Sequence, residues 1–96
     1  MVITDHDEQV LDLAKKNIEN NSLTNAVCEK LPWGEIYPQK FDFIFGSEVT
    51  YSDGDWGALA TTILGCAKSS TKVIISEAPR YLDVFCLQFG KFVAFF

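Results

Sequence analysis

The order of apolar and polar residues along the chain switches between continuous apolar runs and apolar positions at helical spacing. Continuous β-branched or aromatic runs predict strands, and apolar residues that recur every three to four positions predict helices. The predicted strands are Val2–Thr4, Ala26–Cys28, Phe41–Phe45, Lys72–Ser76 and Phe92–Phe96, and the predicted helices cover residues 8–20, 56–67 and 82–90.

The alternation of these elements predicts the class of fold. Their order is β-α-β-β-α-β-α-β, which favours an α/β fold with a mostly parallel sheet and helices on its faces. The β-branched run Lys72–Ser76 is typical of a strand buried on both faces. The sequence has no internal repeat, low-complexity stretch or linker. We therefore expect a single domain over residues 1–96.

Charge and composition argue against several classes of function. The chain has 8 basic and 13 acidic residues and a net charge of −5, whereas nucleic-acid-binding domains normally carry a basic face. No apolar run approaches the roughly 20 residues of a membrane span. Three cysteines without a Cys-x-x-Cys spacing and a single histidine argue against a disulfide framework or a zinc site. We expect no metal, no nucleic-acid or membrane partner, and a reducing, cytoplasmic location.

Polar residues collect where the predicted strands end, which is the edge at which parallel α/β sheets bind ligands. The segments concerned are Asp5, Leu31–Gly34, Ser47–Tyr51 and Glu77–Arg80. Asp5 closes a strand before a helix, a position from which a carboxylate can accept hydrogen bonds from ribose hydroxyls. The same carboxylate can instead support the start of the helix. The residues alone leave both interpretations of Asp5 open.

Glu48 and Tyr51 form a second candidate pair. They lie three positions apart directly after the strand Phe41–Phe45, which predicts that the carboxylate and the ring share one side of a tight turn. A solvated loop acid and a packing aromatic residue are the simpler interpretation of the same pattern. On chemistry alone, that simpler interpretation is favoured.

Taken together, four segments resemble the class I S-adenosylmethionine-dependent methyltransferases, and more narrowly the seven-strand branch that methylates protein lysines. Residues 2–5 resemble that family's second strand with its ribose-binding acid, and residues 17–21 resemble the end of the following helix. Leu31–Gly34 is similar to its Leu-x-Trp-Gly turn, and Phe41–Tyr51 to its fourth strand and acid-x-x-aromatic motif. The similarity covers almost the whole chain.

The resemblance implies a partial Rossmann-like fold, S-adenosylmethionine as the cofactor, and a protein substrate that carries the target lysine. It implies that Asp5 binds the cofactor ribose, that Trp33 lies against the adenine and that Ser47 lines the cofactor cleft. By the same resemblance, Glu48 and Tyr51 border the channel for the lysine and are the candidate catalytic residues.

Two features depart from the family pattern. Pro32 precedes Trp33 and has no side-chain donor or acceptor, so an adenine contact at that position must come from the backbone. The family's first strand and its glycine-rich loop, which cradles the methionine end of the cofactor, have no counterpart in the sequence. We therefore expect the chain to be a fragment of a longer enzyme and to be inactive in this form.

Two other functions stay open at this point. A non-catalytic methyltransferase-like module could use the strand-end face to hold a partner. Another nucleotide-binding Rossmann-like enzyme, such as a nicotinamide-dependent one, would also place Asp5 on a ribose. The Trp33 turn and the Glu48–Tyr51 motif favour the methyltransferase over the dehydrogenase.

Overall fold

Strands and helices alternate along the chain as the sequence predicts. The computed structural model describes residues 1–49, 53–76 and 94–95. All strand pairings among these residues are parallel, so the predicted α/β fold with short parallel sheets and flanking helices is confirmed. The elements are β1 (Val2–Asp5), α1 (Glu8–Asn20), β2 (Val27–Lys30), β3 (Phe41–Ser47), a 3₁₀ turn (Asp53–Asp55), α2 (Trp56–Cys66), β4 (Ala67–Ser76) and β5 (Ala94–Phe95).

The first of two compact units covers Met1–Pro32. In it β1 pairs with β2, and the register runs from Val2 opposite Val27 to Asp5 opposite Lys30. Helix α1 contacts both strands and begins where the sequence predicts, because the Asp7 carboxylate accepts the Gln9 backbone N–H at 2.8 Å. Leu11, which is 4% exposed, is the buried residue of this helix.

The second unit covers Trp33–Phe96. Its described strands form a sheet in the order β3-β4-β5, and β3 and β4 end together, with Ser47 opposite Ser76. Helix α2 supplies three apolar side chains to the core of this unit and β4 supplies two. The core residues are Trp56, Leu59, Ile63, Val73 and Ile75, with Trp33, Ile44 and Val49 packed against them.

Strand β4 is longer than the sequence predicts. It begins at Ala67, which directly follows α2 and is already extended, with φ −101° and ψ 143°. The polar stretch that follows Ala67 has no strand-like alternation. It is held in place by Thr71, whose hydroxyl donates to the Phe41 carbonyl at 2.5 Å and accepts the Lys68 N–H at 2.9 Å. Contacts with β3 therefore help to set the N-terminal boundary of β4, which the local sequence pattern did not predict.

Several predictions concern residues outside the described part of the chain. The third helix (82–90), Tyr51 and the Glu77–Arg80 segment lie there, and of the last predicted strand only Ala94–Phe95 is described. Among the described strands, β1 pairs with β2 alone and β3 with β4 alone. The single domain over residues 1–96 stays a prediction. None of the described helices is long and apolar enough to cross a membrane.

Candidate functional site

The carboxyl ends of β3 and β4 form one polar edge of the second unit. Ser47 and Ser76, which are both exposed, stand opposite each other where the two strands end. The backbone N–H of Glu48 donates to the Ser76 carbonyl at 2.9 Å, which extends the ladder by one bond beyond β3. Two predicted site residues, Ser47 and Glu48, are therefore placed at the edge where parallel sheets bind ligands.

Glu48 adopts a backbone conformation that is uncommon for a residue with a side chain. Its φ is 52°, in the left-handed region that favours glycine. Such conformations cost about 1–3 kcal/mol and cluster at functional sites. The Glu48 side chain is exposed. Its predicted partner, Tyr51, lies outside the described residues, so the pairing of the two stays a prediction.

The turn that contains Trp33 and Gly34 is attached to helix α2. The Gly34 N–H donates to the Ala58 carbonyl at 3.1 Å and to the Thr62 hydroxyl oxygen at 2.9 Å. The Thr62 hydroxyl donates in turn to the Glu35 carbonyl at 2.8 Å. Trp33 is half-buried and packs against the core of the second unit. Trp33 is therefore held against the core at a turn that is fixed to α2.

Gly34 is required by the shape of this turn, because its φ is +97°. We expect Gly34→Ala to lower the free energy of unfolding by roughly 1–3 kcal/mol through backbone strain. Gly57 in α2 is a matched control, because a Cβ there would meet no atom within 4 Å. Gly57→Ala should raise stability by up to about 1 kcal/mol. Urea unfolding measures both, and equal signs for the two variants would contradict the assignment of strain to Gly34.

Asp5 lies at the carboxyl end of β1 in the first unit. Its Oδ1 accepts the Asp7 backbone N–H at 2.8 Å and lies 3.4 Å from Nδ1 of His6. Asp7 is the N-cap of α1, so this hydrogen bond supports the interpretation in which Asp5 stabilises the start of the helix. No hydrogen bond from the described residues reaches Oδ2, and the side chain is 35% exposed. One carboxylate oxygen is thus available for a second partner.

The first unit also has a shallow groove that the sequence did not indicate. Its volume is about 200 Å³, and it lies along α1 and β2. Lys30 and Glu8, two of its lining residues, form an ion pair at 3.4 Å. None of the five predicted site residues lines it. Among the described residues, no three His, Cys, Asp or Glu side chains come together as a metal site would require.

Comparison with known families bears on the functions left open by the sequence. A sequence profile described as lysine methyltransferase matches residues 1–83. The chain belongs to this lysine methyltransferase family. The match spans the positions of Asp5, Trp33, Ser47, Glu48 and Tyr51.

Membership of this family confirms the resemblance read from the four sequence segments and favours a methyltransferase over a dehydrogenase. It also implies, as for methyltransferases in general, the use of S-adenosylmethionine. No protein of curated function was found to match the chain.

Thr62 is a residue of this site that sequence reasoning missed. The apolar residues at helical spacing in this segment include Leu59 and Ile63, and the sequence pattern gave no role to Thr62. Its spacing of three from Leu59 and four from Cys66, both buried, was the signal that could have placed it on the inner face.

Proposed function

We propose that the chain is the part of a cytoplasmic, S-adenosylmethionine-dependent protein-lysine methyltransferase that binds the nucleoside half of the cofactor and the target lysine. The family match supports the reaction class. The observation that carries the lysine site is Glu48, held at φ 52° where β3 and β4 end together. Cys28 and Cys66 are free thiols in the described residues, which is compatible with a reducing compartment.

We assign the cofactor ribose to Asp5. The hydrogen bond from the Asp7 N–H to Oδ1 fixes the orientation of the carboxylate at the strand end. With Oδ1 engaged in this way, Oδ2 is the atom that can accept a ribose hydroxyl. Asp5 is therefore proposed to support the start of α1 through Oδ1 and to bind the cofactor ribose through Oδ2.

We assign the adenine to the turn that contains Trp33. Trp33 is only partly buried, so its ring is proposed to stack on the adenine, and the backbone that follows it is fixed by its bonds to α2. Ser47 is exposed at the end of β3, and its hydroxyl would line the same cleft. Aromatic stacking and a few placed polar groups are the usual means of binding a nucleoside.

The residues of this chain fit the nucleoside half of S-adenosylmethionine but not the methionine half. The sequence contains no Gly-x-Gly turn, and close backbone approach to a bound group normally needs glycine. Strands β1 and β3 each have one unpaired edge among the described strands, where a further strand could pair. We propose that such a strand and its glycine-rich turn are needed for catalysis, and that the 96 residues alone are inactive.

Glu48 and Tyr51 are proposed to receive the substrate lysine. S-adenosylmethionine supplies the methyl group when it is bound. The lysine must lose a proton before its nitrogen can attack, but the ordinary pKa of a glutamate lies about six units below that of a lysine. Glu48 is therefore proposed to attract and orient the ammonium group, while the proton leaves through water. Tyr51 is proposed to narrow the channel.

Two substitutions of Asp5 test the cofactor assignment. Asp5→Asn keeps an oxygen for the Asp7 N–H and removes the charge, so stability should change by less than about 0.5 kcal/mol. Asp5→Ala removes the contact and should cost about 0.5–2 kcal/mol. Both variants should weaken adenosine binding roughly tenfold, because a charge-assisted hydrogen bond is lost. Thermal unfolding and NMR titration measure the two effects.

The asparagine variant is the decisive one of the two. If Asp5→Asn binds adenosine as well as the wild-type chain does, the carboxylate serves only the start of α1 and the ribose assignment is wrong.

A further inference from the structure

Thr62 is the one polar residue that is buried in the described part of the chain, at 7% exposure. It lies on α2 among core residues, and a hydroxyl group in such surroundings needs hydrogen-bond partners. Neighbouring Thr61 shows the common alternative, since its hydroxyl donates to the Gly57 carbonyl of its own helix at 3.0 Å. Thr62 does not bond back to its helix in this way. The hydrogen bonds of its hydroxyl are made with residues outside α2.

Both hydrogen bonds of the Thr62 hydroxyl go to the two residues that follow Trp33. It accepts the N–H of Gly34 at 2.9 Å and donates to the carbonyl of Glu35 at 2.8 Å. The Gly34 N–H is shared with the Ala58 carbonyl, one helical turn earlier. The backbone directly after Trp33 is therefore fixed to α2 at three points, two of which depend on a single hydroxyl.

The consequence concerns the indole of Trp33. Trp33 packs against the core, and fixing the backbone that follows it further restricts the orientation of the ring. A ring that is held in its binding orientation loses less entropy when a ligand stacks on it. We propose that Thr62 is a positioning residue for Trp33, and that it sets the orientation of the ring against adenine. This inference rests on the proposed assignment of adenine to Trp33.

The substitution that tests the proposal is Thr62→Val, which keeps the shape of the side chain and removes both hydrogen bonds. Thr62→Ser keeps the hydroxyl and should restore wild-type behaviour. Thr61→Val is the matched control, because it removes an exposed hydroxyl one residue away. Labelling with 5-fluorotryptophan gives one fluorine NMR signal for each of the two tryptophans. These signals are assigned with Trp33→Phe and then followed during titration with adenosine.

We expect Thr62→Val to shift or broaden the Trp33 signal while the Trp56 signal stays in place. Its affinity for adenosine should fall by about 3–10-fold, the effect of ordering one additional side chain on binding. Thr62→Ser and Thr61→Val should stay within about twofold of the wild-type affinity on the same reasoning. A merely structural role would move both tryptophan signals together.

Three results would overturn the proposal, and they have different meanings. An unchanged Trp33 signal in Thr62→Val shows that the hydroxyl does not position the ring. A shifted signal with unchanged adenosine affinity removes the role in binding. If adenosine does not change the Trp33 signal of the wild-type chain, the assignment of adenine to Trp33 is wrong. The proposed role of Thr62 in orienting the ring against adenine is then wrong as well.

A measurement on the wild-type chain covers the case in which Thr62→Val does not fold. The Gly34 amide should exchange with solvent at least about 100-fold more slowly than an open amide, because the proposed attachment to α2 protects it. Unprotected exchange at Gly34 would overturn the proposal without any variant.

Discussion

Replacing Glu48 with alanine is expected to lower methyl transfer to a lysine peptide by about 10–150-fold while cofactor affinity stays within about threefold. The expected loss corresponds to one hydrogen bond to a charged group, of about 1.5–3 kcal/mol. Alanine keeps a Cβ, so the positive φ of residue 48 is no easier to adopt and the effect reports on the carboxylate. The assay uses a protein that supplies this chain with the proposed further strand and glycine-rich turn.

Two further variants make this test specific. Glu48→Gln keeps the shape of the side chain and should lose nearly as much activity, because the charge that attracts the ammonium is gone. Asp55→Ala removes an exposed acid of the second unit that makes no side-chain capping hydrogen bond and should leave activity unchanged, which controls for net charge. Equal losses of methyl transfer and cofactor binding in Glu48→Ala would move Glu48 into the cofactor site and contradict the channel assignment.

Local chemistry was sufficient to predict most of the elements. Asp7 directly precedes the predicted helix 8–20, where a carboxylate can accept a free backbone N–H, and its bond to the Gln9 N–H is present. The β-branched run Val73–Ile75 was predicted as a buried strand, and Ile75 is 1% exposed. Both features depend on residues that are close together in sequence, so they can be predicted without knowledge of the fold.

Features that depend on distant partners could not be predicted. The polar start of β4 lies at a register shift in its pairing with β3, and Thr71 there bonds to Phe41, thirty residues earlier. Thr62 is buried because its hydroxyl reaches Gly34 and Glu35, a contact that helical periodicity does not encode. Leu64 is one of the apolar residues of the predicted helix 56–67 but is 47% exposed, whereas Leu59 and Ile63 of the same helix are buried.

The candidate site also has some features that the sequence predicts and others that depend on the fold. Its residues follow strand ends, which the sequence indicates, and the family match covers all five of them. Their conformations were not predictable. Glu48 combines a positive φ with a bond from its N–H to Ser76 on another strand, and the bond between Asp5 Oδ1 and the Asp7 N–H depends on side-chain geometry.

Removing the methionine half of the cofactor is expected to make almost no difference to binding by this chain. A complete site would gain several hydrogen bonds from a glycine-rich turn, worth at least about 100-fold in affinity. No such turn occurs in the 96 residues. S-adenosylmethionine and adenosine should therefore bind with similar dissociation constants, both roughly millimolar or weaker, because Asp5 and Trp33 are proposed to bind only the nucleoside, which the two ligands share.

The central claim, that this chain carries the nucleoside half of a methyltransferase cofactor site, is tested most directly by parallel NMR titrations with S-adenosylmethionine, adenosine and methionine. We expect the first two to perturb Asp5 and Trp33 with affinities within about threefold of each other, and methionine to perturb neither residue. Micromolar binding of S-adenosylmethionine, or binding much tighter than that of adenosine, would mean that other residues hold the methionine half. No response of Asp5 or Trp33 to adenosine would contradict the account.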